Sequence, residues 1–230
     1  MSKFLLLFVT IIASFEITAQ TKKTFIVNPG QKLVEAIPAA DLYLRPQFTL
    51  GTVQMKDASE AVVKLNYNYV FEEMQYIDPK TGDTLSLAEE KNIRFVAIEK
   101  DTFYFDELWV HYISGNSTLK IAKAKSFEMS NREKLGALDS PTTGSIDTYT
   151  KYTGSQHMKD LVAKERLTYK ERINYYFGDR FNHFSRANKK ELVKMYRNNE
   201  KKLEKWLDEN KIDLANEDDL KKLCIYLETL

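Results

Sequence analysis

From about Phe25 to Ile121, apolar residues recur mostly at every second position, with β-branched and aromatic side chains prominent. A period of two marks strands buried on one face. Val63, Leu65, Tyr67 and Tyr69 share one face of such a strand, and Lys64, Asn66 and Asn68 share the other. Met74 and Tyr76 continue the apolar face, as do Leu85 and Leu87. Further strands are predicted at "IRFVAIE", "TFYF", "LWVHYIS" and "TLKIAKA", with "SGNS" (Ser114 to Ser117) as a turn. Helical patterns are scarce in this region, so parallel crossovers are excluded and an antiparallel sandwich, small barrel or roll is expected over residues 20–122.

The stretch "LNYNYVFEEMQYIDPKTGDTLSL" (Leu65 to Leu87) fits this reading as a hairpin. Pro79 presets the start of the turn, and Gly82 supplies a position that can take positive φ. A calcium loop needs oxygen ligands at about every second position and a closing bidentate glutamate. Asp78 and Asp83, separated by Lys80, do not meet that pattern. Glu72 and Glu73 are adjacent, so on a strand they face opposite ways and cannot act as a facing acid/base pair.

The pattern then changes twice. Residues 123–158 are rich in Ser, Thr and Gly and read as a loop or linker. Residues 159–184 regain strand character, with Gly178-Asp179 as a tight turn between "INYYF" and "RFNHF", a hairpin expected to pair with the sheet or pack on helices. Residues 185–230 carry helical spacing. Asn188 to Glu191 resembles a capping box, with Leu192, Met195 and Tyr196 inward. Arg197 to Glu200 interrupts, a second helix carries Leu203, Trp206 and Leu207, and Asn216 to Asp219 caps a third. The expected class is α+β, an antiparallel β domain followed by a β-hairpin and a C-terminal bundle of two to three helices.

The N-terminus changes the picture of where the protein works. Lys3, the ten-residue apolar run Phe4 to Ala13 and the small residue Ala19 have the layout of a secretory signal peptide over residues 1–19. The run is shorter than the roughly 18–20 residues that cross a bilayer. Export to the periplasm or outside the cell is expected, with no lipid-anchor cysteine near the cleavage point and no transmembrane segment after it. A hydrophobic fraction of 43% with 13 Tyr, 13 Phe and 2 Trp indicates a folded chain with real cores. Net charge is +1, but residues 41–120 are acidic on balance and residues 151–190 basic. The simplest use of that asymmetry is docking between the two regions. The single cysteine, Cys224, forms no internal disulfide, and Leu220, Leu223, Cys224 and Leu227 at helical spacing make it a core thiol.

Recognisable site chemistry is sparse. His111, His157 and His183 are scattered and form no ligand-spaced cluster. His111 alternates with Trp109 and Ile113 and reads as a core or interface residue. "TGSQH" puts Ser155 near His157 but lacks the glycine that follows an elbow serine. Nucleotide-cradling glycine motifs are missing. "NST" (Asn116 to Thr118) reads as a turn. Tyr175, Tyr176, Phe177 and Phe181 beside basic residues would suit single-stranded nucleic acid, but export removes that partner. No catalytic, cofactor or metal residues are assigned. The expected function is a non-enzymatic cell-envelope protein that binds another envelope protein or a surface component; the alternative is an envelope hydrolase with a carboxylate site not visible in sequence.

Several ordered motifs resemble one family. "LRPQFTLGTVQMKD" (Leu44 to Asp57), the Leu65 to Leu87 stretch, "TTGSIDTY" (Thr142 to Tyr149), "INYYF" (Ile173 to Phe177), "NKKELVKMY" (Asn188 to Tyr196) and "WLDENKIDLANEDDLKKL" (Trp206 to Leu223) are similar to uncharacterised exported proteins, domains of unknown function, of Bacteroidetes-type bacteria. The resemblance implies a cell-envelope setting and supplies no activity or catalytic residues. It also implies Gly in the turn after "QMKD", where this chain has Ala58.

Overall fold

The computed structural model describes residues 22–135, 141–143 and 162–230. The segment read as a signal peptide, Ser155, His157 and most of the Ser/Thr-rich stretch lie outside the described residues.

The alternating N-terminal region forms β1 (Thr24–Val27), two single-turn helices α1 (Leu33–Ala36) and α2 (Ala39–Leu42), β2 (Thr49–Met55), β3 (Glu60–Asn68), β4 (Glu73–Ile77), β5 (Thr84–Ser86), β6 (Ile93–Ile98), β7 (Asp101–Asp106) and β8 (Leu108–Gly115). Then come β9 (Lys120–Leu135), β10 (Pro141–Thr143), β11 (Arg166–Gly178) and β12 (Phe184–Arg186). The chain finishes in α3 (Lys189–Met195), α4 (Glu200–Glu209) and α5 (Glu217–Leu227). Every strand pairing is antiparallel. The strands follow one path, β1-β11-β9-β8-β7-β6-β2-β3-β4-β5, with β10 on β9 and β12 on β11. This is the antiparallel sheet plus C-terminal helices that the pattern predicts. The end strands β1 and β5 are not paired with each other, so the sheet is open. It curls strongly nonetheless: the rings of Tyr67 on β3 and Phe103 on β7 meet at 5.2 Å.

The linker and the tight turn after Gly178 are corrected. Residues 123–135 are not linker but the greater part of β9, paired with β11 along its length. Its polar composition hid the strand. Charges paired across the ladder, Arg166 with Glu133 at 3.6 Å and Arg172 with Glu128 at 2.6 Å, replace apolar residues at the exposed end. The hairpin expected within residues 159–184 does join the sheet: β11 pairs with β12 across the loop and is hydrogen-bonded between β9 and β1. The turn after Gly178 is a wider loop, in which Asp179 Oδ1 accepts from the backbone N–H of Phe181 and His183.

Three apolar clusters occupy the concave face. Leu65, Tyr67, Met74, Val96, Ile98, Phe103 and Trp109 fill the curl. Val27, Leu33, Ile37, Val70, Phe127 and Tyr169 lie under the N-terminal segment. The C-terminal helices bury Leu192, Leu203, Leu207, Leu220, Leu223 and Leu227 against Leu119, Ile121 and Phe177. Their caps are those expected: Asn188 Oδ1 accepts from Glu191 N–H at 3.0 Å, and Asn216 Oδ1 from Asp218 and Asp219 N–H. Cys224 is buried in this last cluster. The loop Asp78 to Asp83 joins β4 to β5, with Gly82 at φ +77° donating to Asp78 O.

Candidate functional site

Between the three clusters the concave face is polar. On β9 the inward positions read Ile121, Lys123, Lys125, Phe127, so two lysines interrupt an apolar row. The alternate residues Ala122 and Ala124 are buried on the other face against Val110, Tyr104 and Phe184. Register then builds a row across four strands, with Phe103 opposite His111, His111 opposite Lys123, and Lys123 opposite Tyr175. Arg45, from the segment after α2, and Tyr69, just past β3, close the space from the other side. The result is a cavity of about 330 Å³ lined by Arg45, Tyr69, Phe103, His111, Lys123 and Lys125 together with Leu44, Asp101, Glu171 and Ile173.

The Arg45 segment is held by a buried asparagine. Asn66 Oδ1 accepts from Arg45 N–H at 3.1 Å, and Asn66 Nδ2 donates to Arg45 O at 2.9 Å. The next polar position does similar work, Asn68 Oδ1 accepting from Val70 and Phe71 N–H. Both asparagines were expected on the outer polar face of β3, yet they are buried. Here β3 ends beneath the Tyr43–Phe48 segment, and side-chain amides replace backbone partners that a loop lacks.

The charges in the cavity pair with one another. The Arg45 guanidinium bonds Asp101 and reaches Glu99 at 3.2 Å. Asp101 also accepts from or faces His111 Nε2 at 2.9 Å, and the imidazole stacks on Phe103 at 4.7 Å. Burial pushes His111 below its ordinary value, and Asp101 only partly offsets this, so the ring is neutral near pH 7. Lys125 Nζ lies 2.7 Å from Glu171 and 4.5 Å from the Tyr69 ring centroid. The Tyr69 phenol is pushed up to about 12 by burial, with Asp101 adding to the effect. Lys123 reaches Glu217 at the start of α5 at 2.8 Å. Burial alone would raise the Glu217 carboxyl, but hydrogen bonds from Lys123 and Lys221 outweigh it and hold the group below its ordinary value.

These ions are partly desolvated, Lys125 and Glu171 being only 20% and 13% exposed. Half-buried ion pairs rarely stabilise a fold better than apolar residues of similar size. These ions interrupt the apolar face between the clusters. Along the cavity wall Arg45, Lys123 and Lys125 are donors, and Asp101 and Glu171 are acceptors.

The residues singled out from sequence as candidate site chemistry fall elsewhere, apart from His111, which is half-buried and lines the cavity. His183 is at an exposed loop beside Asp179. Asn116 Oδ1 accepts from Thr118 and Leu119 N–H and shapes a turn. Tyr175 and Phe177 face the helices, while Tyr176 faces outward. Glu72 lies in a turn at φ +55° and Glu73 is buried on β4, where it accepts from Ser86 Oγ at 2.5 Å. Among the described residues no helix is long and apolar enough to cross a membrane. No protein-family model matches the chain, and neither the curated proteins nor the solved structures contain a match.

Proposed function

We propose that the chain is a non-enzymatic, exported cell-envelope protein that binds an envelope or surface component, and that the cavity is its binding site. The observation that carries this reading is the set of half-buried, mutually paired charges, Lys125–Glu171 and Arg45–Asp101, at the centre of an otherwise apolar concave face. Balanced charge favours a ligand that itself carries both signs, such as an amino acid or the end of a peptide. Such a ligand exchanges into the ion pairs without leaving a charge uncompensated. A roll-like closure of the curled sheet around the cavity is part of this proposal, supported by the Tyr67–Phe103 contact.

A second reading, a hydrolase working through carboxylates, draws on Glu90. Burial raises its carboxyl above the ordinary range, despite a hydrogen bond from Trp109 Nε1, and Glu73 lies close enough to add to the rise. A raised carboxyl beside a second one is the pattern of an acid/base pair. Affinity capture from envelope extract, with the parent chain and with Lys125→Met/Glu171→Leu, tests the first reading. A partner retained by the parent and lost by the variant supports it. Turnover of glycoside or ester probes abolished by Glu90→Gln would replace it with the second.

A further inference from the structure

The convex face of the sheet, opposite the cavity, carries cations that form no ion pair among the described residues. Tyr112 on β8 and Tyr176 on β11 both lie opposite Ala122 of β9, and Tyr176 also lies opposite Arg186 of β12. Adjacent strands are about 4.8 Å apart, so the two tyrosines stand roughly 10 Å apart, on either side of the buried Ala122. Phe184 seals the apolar layer beneath by lying on Gly178, where an added Cβ would come within 2.4 Å of its ring. Tyr104 joins the patch, its ring 6.3 Å from Tyr112 and 5.9 Å from Phe184.

Cations sit over these rings. Lys120 is 5.7 Å from the Tyr104 centroid, Arg186 5.5 Å from Tyr176, and Arg180 4.6 Å from Phe181. Elsewhere on the sheet most cations are in ion pairs; these three form none among the described residues. The neighbouring carboxylates are committed. Asp106 accepts from Phe184 N–H at 2.6 Å, Asp179 caps its own loop, and Glu128 holds Arg172. Lys120 donates to the carbonyl of Asp179 at 2.9 Å and forms no ion pair among the described residues. Partial burial keeps the phenols of Tyr104, Tyr112 and Tyr176 above their ordinary value, so they remain donors at any physiological pH.

We infer that this face binds an acidic polysaccharide, its carboxylate or phosphate groups taken by Lys120, Arg180 and Arg186 and its hydroxyls by the three tyrosines. A phenol can donate to and accept from a sugar hydroxyl, and a guanidinium fork matches a carboxylate or phosphate. Single-stranded nucleic acid fits less well, because its bases need open ring faces and here cations occupy them. A lipid surface fits less well too: among the described residues of this patch, Phe181, 65% exposed, is the large apolar side chain that protrudes. The inference is independent of the cavity, which opens on the other face.

The test is affinity electrophoresis of the purified chain in gels containing polygalacturonate, with dextran as the neutral control, and oligothymidylate and phosphatidylglycerol vesicles as rival ligands. Retardation by polygalacturonate alone, weakened about tenfold or more in Arg180→Gln/Arg186→Gln, is the expected result. Both side chains are exposed, so the variant should melt with the parent. Tyr112→Phe, which removes one hydroxyl and nothing else, should weaken retardation several-fold. Equal retention by oligothymidylate or vesicles overturns the inference, as does polygalacturonate binding unchanged in the variants, or none at low salt.

Discussion

Replacing Ala58 with glycine should stabilise the protein. The β2–β3 hairpin turns through Lys56, Asp57 and Ala58: Ala58 N–H donates to Met55 O at 3.2 Å, and Met55 N–H donates to Ser59 O at 2.8 Å. This is the three-residue hairpin whose last position takes the left-handed conformation, and Ala58 is at φ +71°. A Cβ in that region costs about 1–2 kcal/mol. Glycine relieves it, but returns about 0.4–1 kcal/mol through the greater freedom of the unfolded chain. The net gain is roughly 0.5–1 kcal/mol, and each kcal/mol moves the melting temperature by about 2–4 °C in a chain of this size. Gly82→Ala provides the mirror experiment. An added Cβ at Gly82 meets nothing within 4 Å, so its φ of +77° is the whole penalty, and the variant should lose about 1 kcal/mol. Urea melts of the three proteins, compared at constant m-value, read both effects. Loss of stability in Ala58→Gly would refute the reasoning, because an unstrained loop pays only the entropic penalty of glycine.

Leu223→Ala should destabilise by about 2–5 kcal/mol in the same melts, because the side chain is fully buried between α5 and the sheet; Lys222→Ala, on the exposed face, should leave the melt unchanged. His111 makes stability pH-dependent. Its folded value lies below the unfolded one, so its contribution is complete above about pH 6.5 and falls as the pH drops through the folded value. His111→Asn should flatten the melting profile between about pH 7 and pH 5. Lys125→Met/Glu171→Leu should be no less stable than the parent, and more stable by up to about 1–4 kcal/mol if the pair is retained for binding. N-terminal sequencing of protein from the envelope fraction should read from Gln20 or within a few residues of it; an intact Met1 in the cytoplasm would count against export.

Strands with one clean apolar face were legible in the sequence, as were the helices with Asn188 and Asn216 as caps. Local chemistry decided both. The cavity was not legible, because its residues come from six separate segments and only register brings them together. Lys123 and Lys125 did carry a signal. They share a face with Ile121 and Phe127, but alternation with Ala122 and Ala124 makes them look like the solvent side of an ordinary strand. The convex apolar layer that buries those alanines is completed by Phe184, about 60 positions later. Asn66 and Asn68 misled for a related reason: a polar residue on a strand reads as exposed unless the loop that needs its amide is known. Ala58 was partly legible. The turn after "QMKD" was legible, but not that it sets a residue with a Cβ at φ +71°.

The most direct test of the binding cavity is a thermal-shift titration with free amino acids and short unblocked peptides, set beside the same compounds acetylated and amidated. The parent protein should be stabilised, in a saturable way, by at least one doubly charged compound and not by its blocked counterpart. Lys125→Met/Glu171→Leu should lose that shift while keeping its own melt. A shift that survives in the variant, or a parent protein indifferent to every unblocked compound, would contradict the account.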